Sequence, residues 1–268
     1  MRRLDQLLKQ ASKAGYYRRR QLQLPAEGPL TDDLVLRTLQ SLPRVELDDF
    51  LGNPVEFFNW HHAPRPLRPL DCPLGAIGRT ALLADGFEES ESLRTFTCLS
   101  LEELEDYEPD SIAGPVWRLK NLAELALAGR LRLDSLRGAL LVFTGLKHGC
   151  LKTPDRDLLW RAFQVPVFEQ FRGFSQELLA WECEAHDGLH IHSENAVFEL
   201  PRDGELVLTA LACEEYSLLR VGTELTGRLC SVPCGCGNPA QRLIDVKPLR
   251  APALAMAMTA GLSASSAR

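Results

Sequence analysis

Two short segments crowded with thiols and imidazoles constrain this chain more than anything else in it. One is Cys230-Ser-Val-Pro-Cys234-Gly-Cys236-Gly; the other, well upstream, is Trp181-Glu-Cys183-Glu-Ala-His186-Asp-Gly-Leu-His190-Ile-His192. Thiolates and imidazoles are the ligands zinc prefers, and a structural zinc takes four of them. Gly235 and Gly237 leave the backbone between the thiols free to fold back, as a metal knuckle requires. Any fold for this chain must bring the two segments together.

The rest of the composition narrows the setting. The chain has 268 residues, 45% of them hydrophobic, enough for a sizeable core. Its formal charge of -6 leaves no basic stripe for nucleic acid, and Arg18-Arg19-Arg20 reads as a solvated helix end. No apolar run approaches the ~20 residues that cross a bilayer. The start, Met1-Arg-Arg-Leu-Asp-Gln, lacks the apolar stretch of a signal peptide. The expectation is a cytoplasmic protein with no membrane partner. In a reducing compartment the eight cysteines are thiols or metal ligands, and Cys72, Cys98, Cys150 and Cys213, scattered among apolar residues, read as buried and inert.

Periodicity divides the chain into four stretches. Residues 1–72 are expected to form a helical arm and a proline-rich connection. Leu4, Leu7, Leu8, Ala11 and Ala14 have helical spacing, and Thr31 caps a second helix. Residues 73–177 read as an α/β core. Strands are expected at 79–84 and 93–98, a helix at 115–129 between Pro115 and Gly129, and a buried strand at 138–145. A helix at 155–163 and a strand at 165–168 complete a parallel crossover. From 178 to 250 the period shortens to strands at 178–185, 188–192, 196–200, 204–212 and 218–229, an antiparallel sheet or small barrel. Residues 251–268 are small and polar and are expected to be disordered. The tryptophans Trp117, Trp160 and Trp181 read as core residues, and Glu182 and Glu184, flanking Cys183, as a solvated face.

Several segments together resemble the phenylacetate–CoA ligase family of adenylate-forming enzymes. They are Leu136-Arg-Gly-Ala-Leu-Leu-Val-Phe-Thr-Gly145, Phe163-Gln-Val-Pro-Val-Phe-Glu-Gln-Phe171, Trp181 to Ile191, Asp203-Gly-Glu-Leu-Val-Leu-Thr209, Leu218 to Thr226, and Pro233-Cys-Gly-Cys-Gly237. The likeness is strong over 136–245, slight over 1–60 and absent over 73–130. It implies a truncated adenylate-forming core: a small parallel sheet joined to an antiparallel, zinc-stapled subdomain. It also implies Cys183, His190, Cys234 and Cys236 as the zinc ligands. The turn His186-Asp-Gly188 agrees, because it returns residue 190 towards 183; Cys230, His186 and His192 are the alternatives.

The departures from that family are as informative. Its Ser/Thr/Gly-rich phosphate loop is missing, and Gly75-Ala-Ile-Gly78-Arg-Thr80 is a poor substitute without the hydroxyl run or lysine. The adenine-stacking motif becomes Phe171-Arg-Gly-Phe-Ser175, with Arg172 where the family puts a small residue beside the base. The ribose-gripping motif becomes Arg220-Val-Gly-Thr-Glu224-Leu, one residue short. The chain stops where the family's lysine-bearing carboxy-terminal domain would begin. Acyl adenylation needs preorganised cations around a transferring phosphate. The expectation is therefore a degenerate homologue without ATP-dependent ligation, ATP and AMP being disfavoured as cofactors. It would act as a scaffold or as a binder of an acyl or nucleotide ligand or of a biosynthetic protein partner. The alternatives are a carboxylate-activating ligase completed by a second polypeptide, and a zinc-dependent interaction module. Gly145, Lys147, His148 and Glu224 are the candidate ligand-binding residues. Thr144-Gly-Leu-Lys147-His148-Gly-Cys150 follows a buried strand, where open α/β sheets bind ligands. A Cys150–His148 nucleophile is the further chemical option there.

Overall fold

A computed structural model describes residues 2–21, 32–59, 67–72, 75, 78–96 and 100–249. The expected cap Thr31, the Trp60-His61-His62 segment, Cys98 and the 251–268 tail lie outside the described residues. In chain order the elements begin with α1 (Arg2–Ala11), α2 (Gly15–Arg19), α3 (Asp32–Ser41), α4 (Leu47–Gly52) and a 3-10 turn at Pro54–Phe57. Next come β1 (Thr80–Leu82), β2 (Leu93–Thr95), α5 (Leu101–Tyr107), β3 (Ser111–Pro115), α6 (Val116–Leu127), β4 (Leu140–Thr144), α7 (Thr153–Phe163) and β5 (Val167–Arg172). The last six strands are β6 (Leu178–Glu182), β7 (Leu189–Ile191), β8 (Ala196–Glu199), β9 (Glu205–Ala210), β10 (Val221–Cys230) and β11 (Arg242–Pro248).

All eleven strands belong to one sheet, in the order β2-β1-β3-β4-β5-β6-β7-β11-β10-β9-β8. From β2 to β5 every pairing is parallel; from β5 to β8 every pairing is antiparallel. β5 is the seam. In β1, β3 and β4 every residue is buried, and successive side chains turn to two opposite cores, as in a sheet covered on both sides. Ile112, Leu140, Val142 and Val167 point to a core shared with Leu119, Leu122 and Leu159 of the helices. Their neighbours Ala113, Leu141, Phe143 and Phe168 point the other way, into a core with Leu82, Phe87 and Leu93.

Local signals set the helix ends. Ser100 Oγ caps α5 by accepting from Glu103 N (3.3 Å), with Glu102 and Glu103 in the first turn where the helix dipole favours them. α6 starts after Pro115 and ends at Leu127, just before Gly129, whose φ of +68° lets Arg130 N return to Leu125 O (2.9 Å). The amino-terminal helices pack on the antiparallel half. Tyr17 is buried, donates to Ser217 O (2.9 Å) and accepts from Leu219 N (3.0 Å), so its polar tip is satisfied inside an apolar cluster. No helix among the described residues is long and apolar enough to cross a membrane.

Some expectations need correction. α5 and β3 were not foreseen, and neither was β11, which joins β7 to β10. Trp117 and Trp160 are not core residues; they are 52% and 53% exposed. α6 and α7 turn other residues inward, namely Leu119, Leu122, Ala123 and Leu159. Glu182 is no solvated face, being 5% exposed. Arg156 donates to both of its oxygens (3.1 and 2.9 Å), Glu169 N donates to Oε2 (2.8 Å), and His186 Nδ1 lies 3.0 Å from Oε1. Glu184, its partner in that reading, is exposed.

Candidate metal centre and ligand cavity

Cys183 stands just past β6, His190 lies in β7, and Cys234 and Cys236 belong to the turn between β10 and β11. Strand order makes them neighbours. Trp181 pairs with His190, His190 with Arg242, and Arg242 with Cys230, so one row of residues crosses four strands and carries the knuckle beside β7. The four potential ligand atoms of Cys183, His190, Cys234 and Cys236 lie within 4.8 Å of one another. Cys183 Sγ is 3.6 Å from Cys234 Sγ, and Cys236 Sγ is 3.4 Å from His190 Nε2. Two thiolates on one tetrahedral zinc stand about 3.8 Å apart, so the residues present fit that ion. The donor set fits too. Burial, and after it the charge of the neighbouring Arg242, hold the His190 pKa below the usual imidazole value and keep a lone pair available. Burial pushes the Cys183 thiol up to about 11, while backbone donation from Cys236 lowers that of Cys234. His190 Nδ1 is buried without a hydrogen-bond partner.

Of the alternatives, His186 turns to Glu182 and stacks on Phe168 with ring centres 5.1 Å apart. Cys230 lies 3.6 Å from Arg242 Nη2. Arg242 itself is buried, donates to Val232 O (3.0 Å) and binds Asp187 through its backbone and carboxylate. It ties the knuckle to the β6–β7 turn and was not foreseen; a charged residue in a polar strand carries no signal of burial.

The second feature is an open cavity of about 780 Å³ at the carboxyl ends of β3 and β4. Of the candidate ligand-binding residues it gathers His148 and Glu224; Gly145 and Lys147 are not on its walls. The loop after β4 is closed by reciprocal bonds, Gly145 N to Gly149 O (2.7 Å) and Gly149 N to Gly145 O (2.9 Å), which leaves Lys147 exposed. Gly145 presses on β5: a β-carbon there would overlap the Arg172 carbonyl. His148 is buried, and burial lowers its pKa to about 4. Cys150 lines the same cavity, yet burial raises its thiol pKa, so it is a poor nucleophile.

The motif residues 171–177 lie against this loop but are closed. Arg172 is 1% exposed. Its guanidinium lies 4.5 Å from the centre of the Phe143 ring and 5.0 Å from that of Phe87. It donates to Gln170 Oε1 (2.6 and 3.1 Å), to Gln176 O (2.7 Å) and to Asp71 O (3.4 Å). Among the described residues it forms no ion pair with Glu169 or Glu177. Glu169 instead accepts from Thr144 Oγ1 (2.7 Å), and burial raises its pKa to about 7. Arg220, of the shortened ribose motif, is turned to α3: it donates to Gln40 O (2.9 Å) and Leu42 O and pairs with Glu199 (3.0 Å).

No protein-family model and no curated protein matches the sequence. Solved structures do match. An open conformation of 2-hydroxyisobutyryl-CoA ligase with 2-HIB-AMP and CoA aligns with a TM-score of 0.62 at 14% identity, over 90% of this chain and 67% of the ligase. The same ligase in its thioesterification state gives 0.63 at 15% identity, over 91% and 66%. The chain spans about two thirds of these enzymes. Likeness at this identity is likeness of fold: the chain has the adenylate-forming ligase fold that its sequence resemblance implied.

Proposed function

We propose that this chain is a degenerate member of the phenylacetate–CoA ligase-like branch, without ATP-dependent ligation, acting as a cytoplasmic ligand-binding or scaffold protein. The observation that supports this most is Arg172. A nucleotide base needs a slot beside residues 171–175, and there a buried guanidinium lies over two aromatic rings with its donors answered by Gln170, Gln176 and Asp71. Swinging it out would leave those acceptors unpaired, which is costly in a buried site. Burial lowers its pKa only to about 10, so the plug stays charged at neutral pH. Arg220, engaged with α3 and Glu199, is equally unavailable to a ribose.

The same reading gives the knuckle a structural zinc held by Cys183, His190, Cys234 and Cys236. Four protein ligands leave no open position, so the ion would staple the fold and take no part in chemistry. Elemental analysis of protein purified without a histidine tag should find one zinc per chain. Isothermal titration with ATP, AMP and acyl-CoA tests the loss of ligation, and no ATP binding is expected. Carboxylate-dependent pyrophosphate release would overturn the reading in favour of an active ligase, completed by a second polypeptide if it needs one.

A further inference from the structure

The proposed zinc centre would carry an excess charge that its own segments cannot answer. Three thiolates, a neutral imidazole and a divalent ion sum to one net negative charge. A charge taken out of water is costly unless an opposite one stands beside it. Residues 181–192 and 230–241 hold all four ligands, contain no lysine or arginine, and add Glu182, Glu184 and Asp187. Glu182 is answered by Arg156 (2.9 Å), and Glu184 is exposed. Compensation has to come from outside those segments.

Arg242, the first residue past the second of them, is placed to supply it. It stands opposite His190 of β7 and Cys230 of β10. Its side chain is only 2% exposed, so water screens its charge little. Nη2 donates to Val232 O (3.0 Å) and lies 3.6 Å from Cys230 Sγ, while Nη1 binds the Asp187 carbonyl and carboxylate. Gly188 seats that turn against β11, where a β-carbon would overlap Leu243 O. The charge of Arg242 acts on two of the four ligands, Cys234 and His190. Asp187, its ion-pair partner, is 62% exposed, so the opposing charge is largely screened by water.

We propose that the Arg242 guanidinium is the counter-charge of the metal–thiolate cluster and governs its affinity for zinc, as a positioning residue that acts through its field. This rests on reading the knuckle as a zinc site. A parent protein that takes up no zinc would overturn both; a parent that binds zinc while the variants below break the expected pattern would overturn the counter-charge alone.

The test measures zinc affinity of the full-length protein by competition with a chromogenic chelator, with thermal unfolding of the metal-free forms alongside. Arg242→Met removes the charge and should weaken zinc binding roughly thirtyfold, the effect of a unit charge a few ångströms away in a partly screened site. Arg242→Lys should recover most of that loss. Asp187→Asn keeps the carbonyl that Arg242 binds and removes an opposing charge, so it should bind zinc at least as tightly as the parent. Cys236→His changes the charge of the site itself: two thiolates and two imidazoles make a neutral complex, and in that background Arg242→Met should cost less than about threefold. An equal loss in both backgrounds, a loss in Arg242→Lys as large as in Arg242→Met, or weaker zinc binding by Asp187→Asn would make Arg242 a clamp of the turn and overturn the proposal. Asp187→Asn decides the matter even where Arg242→Met does not fold.

Discussion

In the parallel half of the sheet, the interior of β1, β3 and β4 is apolar on both faces, helices covering one and loop residues such as Phe87 and Leu70 the other, with no buried charge in those strands. The far corner of the antiparallel half is built the opposite way. There β6, β7 and β11 converge on three thiols, an imidazole and the buried guanidinium of Arg242. The first region is held by area removed from water, at about 25 cal/mol per Å². The second holds only if each polar group meets its partner, because burying an unpaired polar group or charge is expensive. The comparison teaches where this chain is vulnerable: the apolar half tolerates graded change, and the knuckle fails as a unit.

The sharpest way to break the contrast is to remove a ligand. Cys183→Ser, or chelation at neutral pH, should cost about 4 kcal/mol or more and lower Tm by roughly 10 °C. Hydrogen exchange should show the loss confined to β7, β11 and the knuckle, with β3, β4 and β5 still protected. A uniform loss across the sheet would erase the distinction. Next in size is Arg172→Met, which keeps bulk but removes the donors to Gln170, Gln176 and Asp71. Denaturant unfolding should report a loss of about 3 kcal/mol, because buried acceptors are left unpaired.

The smallest effect concerns the seam. Glu169 sits in β5 with its pKa raised to about 7 by burial, and by Glu182 nearby, against the lowering pull of Thr144 and Arg156. A carboxyl raised in the folded state binds its proton more tightly there than in the unfolded chain. Its contribution is therefore full below the unfolded value of 4.5 and is lost as pH rises through about 7. Glu169→Gln keeps the acceptor for Thr144 and should flatten this slope. Relative to the parent, the variant should gain roughly 2 kcal/mol between pH 4.5 and pH 8 in denaturant midpoints.

How much of this was legible depends on how local the signal is. α6 and α7 could be read because proline, glycine and apolar spacing act within one element, and β4 because four apolar residues and a threonine end at a glycine. The thiols and His190 could be read because ligand chemistry announces itself in composition. β3 could not, since Ser111-Ile-Ala-Gly-Pro115 becomes a strand only between β1 and β4. α5 is an acidic run with Leu104 as its buried residue. β11 alternates charged and apolar residues, and its burial is decided by β7 and β10 on either side. Glu182 looked solvated because the group that neutralises it, Arg156, comes from another element. Likewise nothing in either segment shows that His148 and Glu224 face one cavity.

The pairing of β7 with β11 also bears on how the chain reaches this state. After β7 the chain crosses to the far edge of the sheet and builds β8, β9, β10 and β11 as a meander, whose last strand returns to pair with β7. The meander can form from contacts near in sequence, which is fast, whereas joining its last strand to β7 closes a long loop and is slow. The knuckle lies at that closure, so the order of assembly is written into the strand order: the meander first, the clasp last, and with it the register of the whole sheet.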